Sequence, residues 1–376
     1  MAARKRGEDE AARAPEYPAG RFAIRPPIEP MLAKLADRLP AGGPFLYEPK
    51  WDGFRAIVFR GGSDLFIQSR DLRPFDRYFP ELHDALLTRL PEGCVIDGEI
   101  VIVTPHGLDF DRLQMRIHPA ASRIAMLAKS IPAAFVAFDA LAVNGRDVRD
   151  SPQSERRELL ERTLAGIGPP VHLTPMTRDP VVAAQWLSRF EGAGLDGVIA
   201  KPEDGTYVPG KRAMVKVKHV RTADSVVAGF RWHKNGKNTL VGSLLLGLYD
   251  EHGVLHHVGV TSSFTMARRR ELAVELAPLR ANALEDHPWR EWATGDGSDT
   301  RMPGAQNRWS AGRDHSWEPL RIERVCEVKY DHMQGTRFRH AAVFLRWRPD
   351  RKPADCRYDQ LEVTTAYELE KVFGAG

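Results

Sequence analysis

The stretch Glu48-Pro49-Lys50-Trp51-Asp52-Gly53-Phe54-Arg55 places a lysine, a carboxylate, a glycine and an arginine within a few positions. Gly53 permits a sharp turn, and Arg55 offers a forked donor that suits phosphate or ribose oxygens. Lys50 is a candidate nucleophile if its amine loses a proton, which requires a pKa below the ordinary value of about 10.4. Taken alone, the stretch is equally compatible with an exposed loop that carries solvated charges.

Further charged side chains follow Lys50 inside apolar, strand-like segments. Asp97 and Glu99 interrupt an apolar run, and buried carboxylates are costly unless they are paired or bind a metal. Lys216 and Lys218 alternate with valines, so both would point to one face of a strand. Two such lysines repel each other unless an anion lies between them, and a polyphosphate would serve.

These candidates belong to an ordered series of motifs that extends over nearly the whole chain. After Lys50 it comprises Ser69-Arg70, Asp97-Gly98-Glu99, Phe138-Asp139, Asp196 to Lys201, Val215 to Lys218, and Arg346 to Arg351. In this order the motifs resemble those of the covalent nucleotidyltransferase superfamily, which includes DNA ligases, RNA ligases and mRNA capping enzymes. The segments Cys326 to Tyr330 and Phe338 to His340 resemble small bacterial ATP-dependent DNA ligases of the ligase C type.

The resemblance implies a role for each candidate in binding and transferring AMP. Lys50 would form the lysine adenylate, with Glu48 at the adenine edge and Phe138 stacked on the base. Lys216 and Lys218 would contact the α-phosphate. Arg55 and Arg70 would hold the ribose, the phosphate or, in later steps, the nick, and Glu99 would contact the ribose or serve the metal.

The resemblance also implies ATP and a divalent metal, Mg²⁺ or Mn²⁺, as cofactors. Glu99 and Asp196 would supply carboxylates to the metal site. Arg348, Asp350 and Arg351 would orient the leaving pyrophosphate in the first step. Two positions depart from the family pattern: Asp196 stands where glutamate is common, and Arg351 where the last motif often ends in lysine.

Several candidates also have plain structural explanations. Glu99 could form a structural salt bridge, Asp97 could support a neighbouring side chain, and Phe138 could belong to the core. Lys201 could contact phosphate or act as a supporting ion-pair partner. The sequence leaves these alternatives open.

The pattern of short strands and helices predicts an α+β protein with two domains. Residues 21–222 would form a nucleotidyltransferase (adenylation) domain of mixed antiparallel sheets with helices, including a helix capped by Asp179. Residues 223–376 would form an OB-fold β-barrel domain, because several short strands with one helix, Thr265 to Arg280, suit a small barrel. Residues 1–20 would form a disordered basic tail.

The composition gives only weak evidence about the binding partner of the protein and its location in the cell. A formal net charge of +4 fits a polyanionic partner but is shared by many enzymes of small substrates. Cys94, Cys326 and Cys356 lie too far apart in sequence for a CxxC metal site and are predicted to be reduced thiols in the cytoplasm. No apolar run reaches the length of a membrane span, and no hydrophobic stretch follows the basic start.

The resemblance therefore predicts an ATP-dependent DNA ligase that joins a 5′-phosphate to a 3′-hydroxyl at nicks, in DNA repair. An RNA ligase and a capping-type enzyme that transfers GMP are alternatives within the same fold. A non-catalytic scaffold that binds DNA ends is an alternative of a different class. The expected substrate is nicked double-stranded DNA. End-binding or gap-filling repair proteins are candidate partners of a monomer located in the cytoplasm with the nucleoid.

Overall fold

A computed structural model describes residues 17–18, 20–40, 42–105, 107–219, 221–294, 316–361 and 367–374. The contacts within it separate two compact units, which divide after His219. Most of the expected tail, residues 1–20, lies outside the described residues. Tyr17 is an exception, because its ring packs edge-on against Phe66 of the first unit.

Two sheets form the framework of the first unit. A four-stranded sheet has the order β1-β12-β11-β2, and a six-stranded sheet has the order β10-β8-β5-β3-β4 with β9 paired to β8. The pairs β1–β12 and β10–β8 are parallel and the others in these sheets are antiparallel, so both sheets are mixed. The strands of this unit are β1 (Leu32–Ala36), β2 (Phe45–Pro49), β3 (Phe54–Gly61), β4 (Asp64–Ser69), β5 (Cys94–Val101), β6 (Val103–Thr104), β7 (Gly107–Leu108), β8 (Ala134–Val143), β9 (Arg146–Asp147), β10 (Val171–Leu173), β11 (Val198–Pro202) and β12 (Arg212–Val217).

Helices cover the six-stranded sheet and bury their leucines against it. Leu82 and Leu86, together with Leu160, share a core with Ile96 of β5. The predicted cap is confirmed, since the Asp179 carboxylate accepts a hydrogen bond of 2.7 Å from the Val181 N–H. The helices are α1 (Pro80–Arg89), α2 (Phe110–Met115), α3 (Ala121–Ser130), α4 (Gln153–Leu164) and α5 (Pro180–Arg189).

The second unit is built on an antiparallel sheet with the order β15-β14-β13-β17-β20, and β16 pairs with β13. Its strands are β13 (Arg221–Trp232), β14 (Val241–Tyr249), β15 (Leu255–Thr261), β16 (Glu318–Pro319), β17 (Val325–Tyr330), β18 (Met333–Gln334), β19 (Arg337–Phe338) and β20 (Val343–Trp347). It also contains the helices α6 (Met266–Leu276) and α7 (Arg290–Thr294).

The sheet of the second unit closes into a barrel. The Ala342 N–H, just before β20, donates to the Val260 carbonyl of β15 at 2.8 Å, and Thr261 bridges Ala342 in parallel orientation. The first and last strands of the order are thereby joined, as an OB-fold requires. The expected α+β class and barrel are confirmed. The expected helix from Thr265 to Arg280 is α6 followed by a 3-10 turn at Ala277–Arg280.

The last helix, α8 (Leu369–Phe373), belongs to the first unit. Leu369 and Val372 are buried in a core that they share with Trp186 and Phe190. This differs from the expectation that residues 223–376 form one domain, because these apolar side chains find their partners in the first unit. None of the helices within the described ranges has the length and apolar character needed to cross a membrane.

Candidate active site

A pocket of about 190 Å³ in the first unit gathers most of the predicted site residues. Strands of both sheets contribute to its lining. The predicted residues that line it are Glu48, Lys50, Arg55, Arg70, Glu99, Phe138 and Lys216. Of the other two candidates in this unit, Asp196 contacts Lys50 and Lys218 contacts Asp196.

The backbone of Lys50 is fixed in the connection between β2 and β3. Its N–H donates to the Gly197 carbonyl at 2.8 Å, and its carbonyl accepts a hydrogen bond of 2.9 Å from the Asp196 N–H. The turn before β11 therefore holds the lysine on both sides of its Cα. Strand β2 ends at Pro49 and β3 begins at Phe54, so Lys50 itself lies outside both strands.

The Lys50 amine shares one carboxylate oxygen with a second lysine. Asp196 Oδ2 lies 2.6 Å from Lys50 Nζ and 2.9 Å from Lys218 Nζ. Burial lowers the pKa of Lys50, but the attraction of Asp196, with smaller contributions from Glu99 and Asp52, outweighs it and raises the pKa above its ordinary value. The expectation of a lowered pKa is wrong for this arrangement, because the nearest charged group is an anion.

A buried carboxylate stands at another part of the pocket. Glu48 is 2% exposed, and its Oε2 lies 2.8 Å from Lys201 Nζ. Burial raises the pKa of Glu48, although Lys201 and Arg157 oppose the shift. Glu48 Oε1 has no hydrogen-bond partner among the residues that the structure describes. This oxygen is therefore ready to accept a hydrogen bond from a ligand.

Lys201 and Arg157 support Glu48. Lys201 pairs with Glu48 and also donates to the Phe138 carbonyl at 2.7 Å. Its ammonium group therefore acts as a supporting ion-pair partner. Arg157 of α4 lies 3.6 Å from Glu48 Oε1 and was missed by the sequence reasoning. The available signal was a cation on the buried side of an amphipathic helix.

Phe138 is a pocket wall as well as a strand residue. The Arg55 guanidinium carbon lies 4.7 Å from its ring centroid, and Lys201 Nζ lies 5.0 Å from it. Arg55 is held by the buried Asp97, with both nitrogen–oxygen distances at 2.6 Å. Tyr207 donates to the same carboxylate at 2.7 Å. Asp97 thus supports Arg55, as one of the sequence alternatives proposed.

The donor set fits a divalent cation. Burial raises the pKa of Glu99 to about 7, and the nearby Lys50 and Arg55 only partly oppose it. A desolvated carboxylate near a second carboxylate is stabilised by an added cation, and Mg²⁺ and Mn²⁺ prefer such oxygen ligands. Asp196 would have to exchange a lysine contact to act as the second ligand.

A cationic cluster faces the same pocket. Burial lowers the pKa of Lys216, and the positive charges of Lys50, Lys218 and Arg70 lower it further. Such mutual repulsion is relieved by a polyanion. The sequence reasoning missed Arg212 and Met214, which also line the pocket. They lie four and two positions before Lys216 on β12, so the two-residue period of a strand was the signal.

The three candidates of the second unit form a cluster of their own. Arg348 pairs with Asp224 at 2.9 Å and with Asp350 at 2.7 Å. Arg351 lies 3.3 Å from Asp224. The guanidinium groups expected to orient pyrophosphate are therefore paired with carboxylates within this unit.

A fixed lysine among cations, with a buried hydrogen-bond acceptor in the same pocket, is the arrangement that a nucleotidyltransferase needs. Family models agree: "ATP dependent DNA ligase domain" matches residues 30–218, and "ATP dependent DNA ligase C terminal region" matches residues 237–351. The chain belongs to the ATP-dependent DNA ligase family, whose cofactors are ATP and a divalent metal. This confirms the sequence prediction against the RNA ligase, capping-enzyme and scaffold alternatives.

Curated relatives agree with this assignment, and a solved structure shares the fold. DNA ligase C2 of Mycolicibacterium smegmatis is 56% identical over 90% of this chain and 95% of that protein. DNA ligase C of Mycobacterium tuberculosis is 54% identical over 93% of this chain and 98% of that protein. A solved Lig E DNA ligase shares the fold with a TM-score of 0.53 at 18% identity, covering 85% of this chain and 99% of that one.

Proposed function

We propose that Lys50 is the residue to which this DNA ligase transfers AMP. The observation that supports the proposal best is the position of Lys50, with its backbone fixed by two hydrogen bonds to the Asp196–Gly197 turn and its amine in the pocket. Before it attacks, the amine must leave the Asp196 oxygen and lose a proton. A neutral amine in this fixed position is a competent nucleophile toward phosphorus.

The chemistry consists of three transfers at phosphorus. The Lys50 nitrogen forms a bond to the α-phosphorus of ATP, and pyrophosphate leaves. A 5′-phosphate at the nick then attacks the adenylate phosphorus, and the lysine nitrogen leaves. Finally the 3′-hydroxyl attacks the activated 5′-phosphate, its proton is released and AMP leaves. The protein contributes positioning and charge stabilisation to each transfer.

The pocket divides the nucleotide between two environments. Glu48 Oε1 would accept a hydrogen bond from the adenine amino group, and Phe138 would pack against the base. Lys216 and Lys218 would contact the α-phosphate, and Arg55 and Arg70 the ribose and phosphate oxygens. The proposal is supported by the unpartnered oxygen of Glu48 and by the cationic cluster around Lys216.

Glu99 and Asp196 would hold the divalent metal, which neutralises charge that develops on the phosphoryl group. Glu99 is the stronger candidate, because its carboxylate is desolvated and only partly compensated. Asp196 would first release a lysine. The shorter side chain of Asp196, compared with the common glutamate, limits how far it reaches.

The first unit would act as the adenylation domain and the barrel as its partner domain. Arg348, Asp350 and Arg351 would orient pyrophosphate in the first step only. Their present pairing with Asp224 and with one another would have to be exchanged for the anion.

We further propose a role in DNA repair, for a monomer located in the cytoplasm with the nucleoid. Support comes from the similarity to relatives named DNA ligase C along almost their whole length. End-binding or gap-filling proteins are the proposed partners. A reconstituted gap-filling reaction and a reconstituted end-joining reaction would test the role. Failure to seal the products of both reactions would contradict it.

The nucleotide and strand specificities test the assignment of the pocket. Labelled ATP and labelled GTP are each incubated with the protein and divalent metal. Nicks with DNA or RNA on the 3′-hydroxyl side are then compared. The proposal predicts labelling by ATP and sealing of the DNA nick. Labelling by GTP alone, or sealing of the RNA nick alone, would contradict it.

A further inference from the structure

The residue after the candidate nucleophile contacts the last helix of the chain. The Phe373 ring lies nearly parallel to Trp51, with centroids 5.2 Å apart and planes at 17°. It lies similarly over His172, at 4.2 Å and 16°. Trp51 is buried, and its indole N–H donates to Thr174 Oγ1 at 2.8 Å. Phe373 therefore contacts the one side chain that directly follows Lys50.

The helix that carries Phe373 is anchored in the core behind Lys50. Leu369 is 5% exposed and Val372 is fully buried, in a cluster that includes Tyr47 of β2 and Val198 of β11. The strands β2 and β11 pair with each other, with Val198 opposite Pro49. Helix α8 thus shares a core with the two strands that flank Lys50 and the Asp196–Gly197 segment that fixes it.

Lys50 is positioned by two sets of contacts, one to its own backbone and one to the next residue, Trp51. On the turn side, Asp196 and Gly197 bind its backbone, as described above. On the chain side, Trp51 is held by the hydrogen bond to Thr174 and by the stack on Phe373. Loss of the stack removes the aromatic contact that orients the Trp51 ring and leaves its hydrogen bond to Thr174 and the rest of its core packing. A small displacement of a nucleophile has a large effect on rate, on the order of 100-fold for 1 Å.

We propose that Phe373 is a positioning residue for the first step, acting on Lys50 through Trp51. This inference rests on the proposed role of Lys50. The helix that supplies Phe373 follows the barrel in sequence, so a residue beyond the second unit completes the support of a nucleophile in the first. The Phe373 ring stacks on Trp51 and His172, whereas Glu48 and Phe138, the groups proposed to bind the base, lie outside these two ring contacts.

Four variants of the full chain test the proposal. Phe373→Ala removes the ring, Phe373→Leu keeps an apolar side chain without an aromatic face, and Phe373→Tyr keeps the ring. Lys371→Ala is the matched control on the same helix, since it loses only an exposed ion pair of 3.0 Å to Glu368. The readouts are the rate of adenylation at saturating ATP, the ATP concentration at half-maximal rate, the sealing of a pre-adenylated nick, and thermal unfolding.

The expected result is a loss in the maximal adenylation rate of about tenfold for Phe373→Ala and Phe373→Leu. The half-saturating ATP concentration should change by less than about threefold, and sealing of a pre-adenylated nick by less than about twofold. Phe373→Tyr and Lys371→Ala should match the wild type.

Other outcomes would overturn the proposal. They are a wild-type rate in folded Phe373→Leu, a loss confined to ATP affinity, an equal loss in Lys371→Ala, or an equal loss in sealing a pre-adenylated nick. Phe373→Leu decides the matter if Phe373→Ala does not fold. Failure of the proposed role of Lys50 would appear separately, as wild-type protein that carries no label on Lys50.

Discussion

At the scale of the residue, Asp196 holds Lys50 in place and at the same time keeps it protonated. Its Oδ2 is shared with Lys218, so one oxygen compensates two cations. The contact that orders the lysine side chain also raises its pKa, although burial alone would lower it. Activation of Lys50, the proposed nucleophile, therefore requires that Asp196 give up its contact with the amine. A ligand that binds beside Asp196 would control this step.

The pH dependence of adenylation should reflect this raised pKa. The neutral fraction of Lys50 increases about tenfold per pH unit as long as the pH is below its pKa. Because that pKa is raised, the rate of adenylation at fixed ATP and metal should still increase from pH 7 to pH 9. Single-turnover labelling across this range measures it. A rate that is flat or falls over the same range would show that Lys50 is already neutral.

Lys201 gives a residue-scale prediction about stability. Lys201 is 2% exposed, and its ammonium group pairs with the buried Glu48. Lys201→Met leaves that carboxylate without its nearest cation, so the free energy of unfolding should fall by about 3 kcal/mol. Urea denaturation measures the change. Lys371→Met, at an exposed ion pair, is the control and should change stability by less than about 0.5 kcal/mol. Equal changes in both would contradict the account of Glu48.

At the scale of the element, helices with local sequence signals were predicted, whereas an element that depends on long-range packing was missed. The cap of α5 was predicted because capping residues act locally. Helix α8 was missed because its five residues are defined by burial against distant strands. The candidate site was predicted largely through motif order, whereas Arg157 and Phe373 are brought to it only by the fold.

The turn before β11 offers an element-scale test. Gly197 has a φ of 140°, and a Cβ there would meet the Val217 carbonyl of β12. Gly197→Ala should therefore cost about 1–3 kcal/mol and lower the rate of adenylation, since this turn binds the Lys50 backbone. Gly168→Ala is the control, because its Cβ would meet nothing within 4 Å. Urea unfolding and labelling with ATP are measured for both variants. Equal effects of Gly197→Ala and Gly168→Ala would contradict the account.

At the scale of the whole molecule, the chain passes from the first unit into the barrel and returns to the first unit with α8. The last helix, which the sequence analysis assigned to the second domain, therefore belongs to the first unit. Arg348, Asp350 and Arg351, which we propose to orient pyrophosphate, are in the second unit, whereas Lys50 is in the first. The first step of the reaction would thus draw on both units.

A substitution of Arg348 tests whether the second unit contributes to the first step only. Arg348→Ala should abolish adenylation of the protein, because pyrophosphate would lose its guanidinium partner in the first step. Sealing of a pre-adenylated nick needs no pyrophosphate and should be retained within about threefold. Both reactions are measured on the same preparation. An equal loss in both would contradict a role confined to the first step.

The central claim is that Lys50 carries AMP, and labelling tests it most directly. The protein is incubated with labelled ATP and Mg²⁺ or Mn²⁺, and the label on the protein is located by peptide mapping. We predict label on Lys50, its release when nicked DNA is added and sealed, and no label on folded Lys50→Ala. Folded, AMP-free wild-type protein that stays unlabelled with both metals, or Lys50→Ala that is labelled, would contradict the claim.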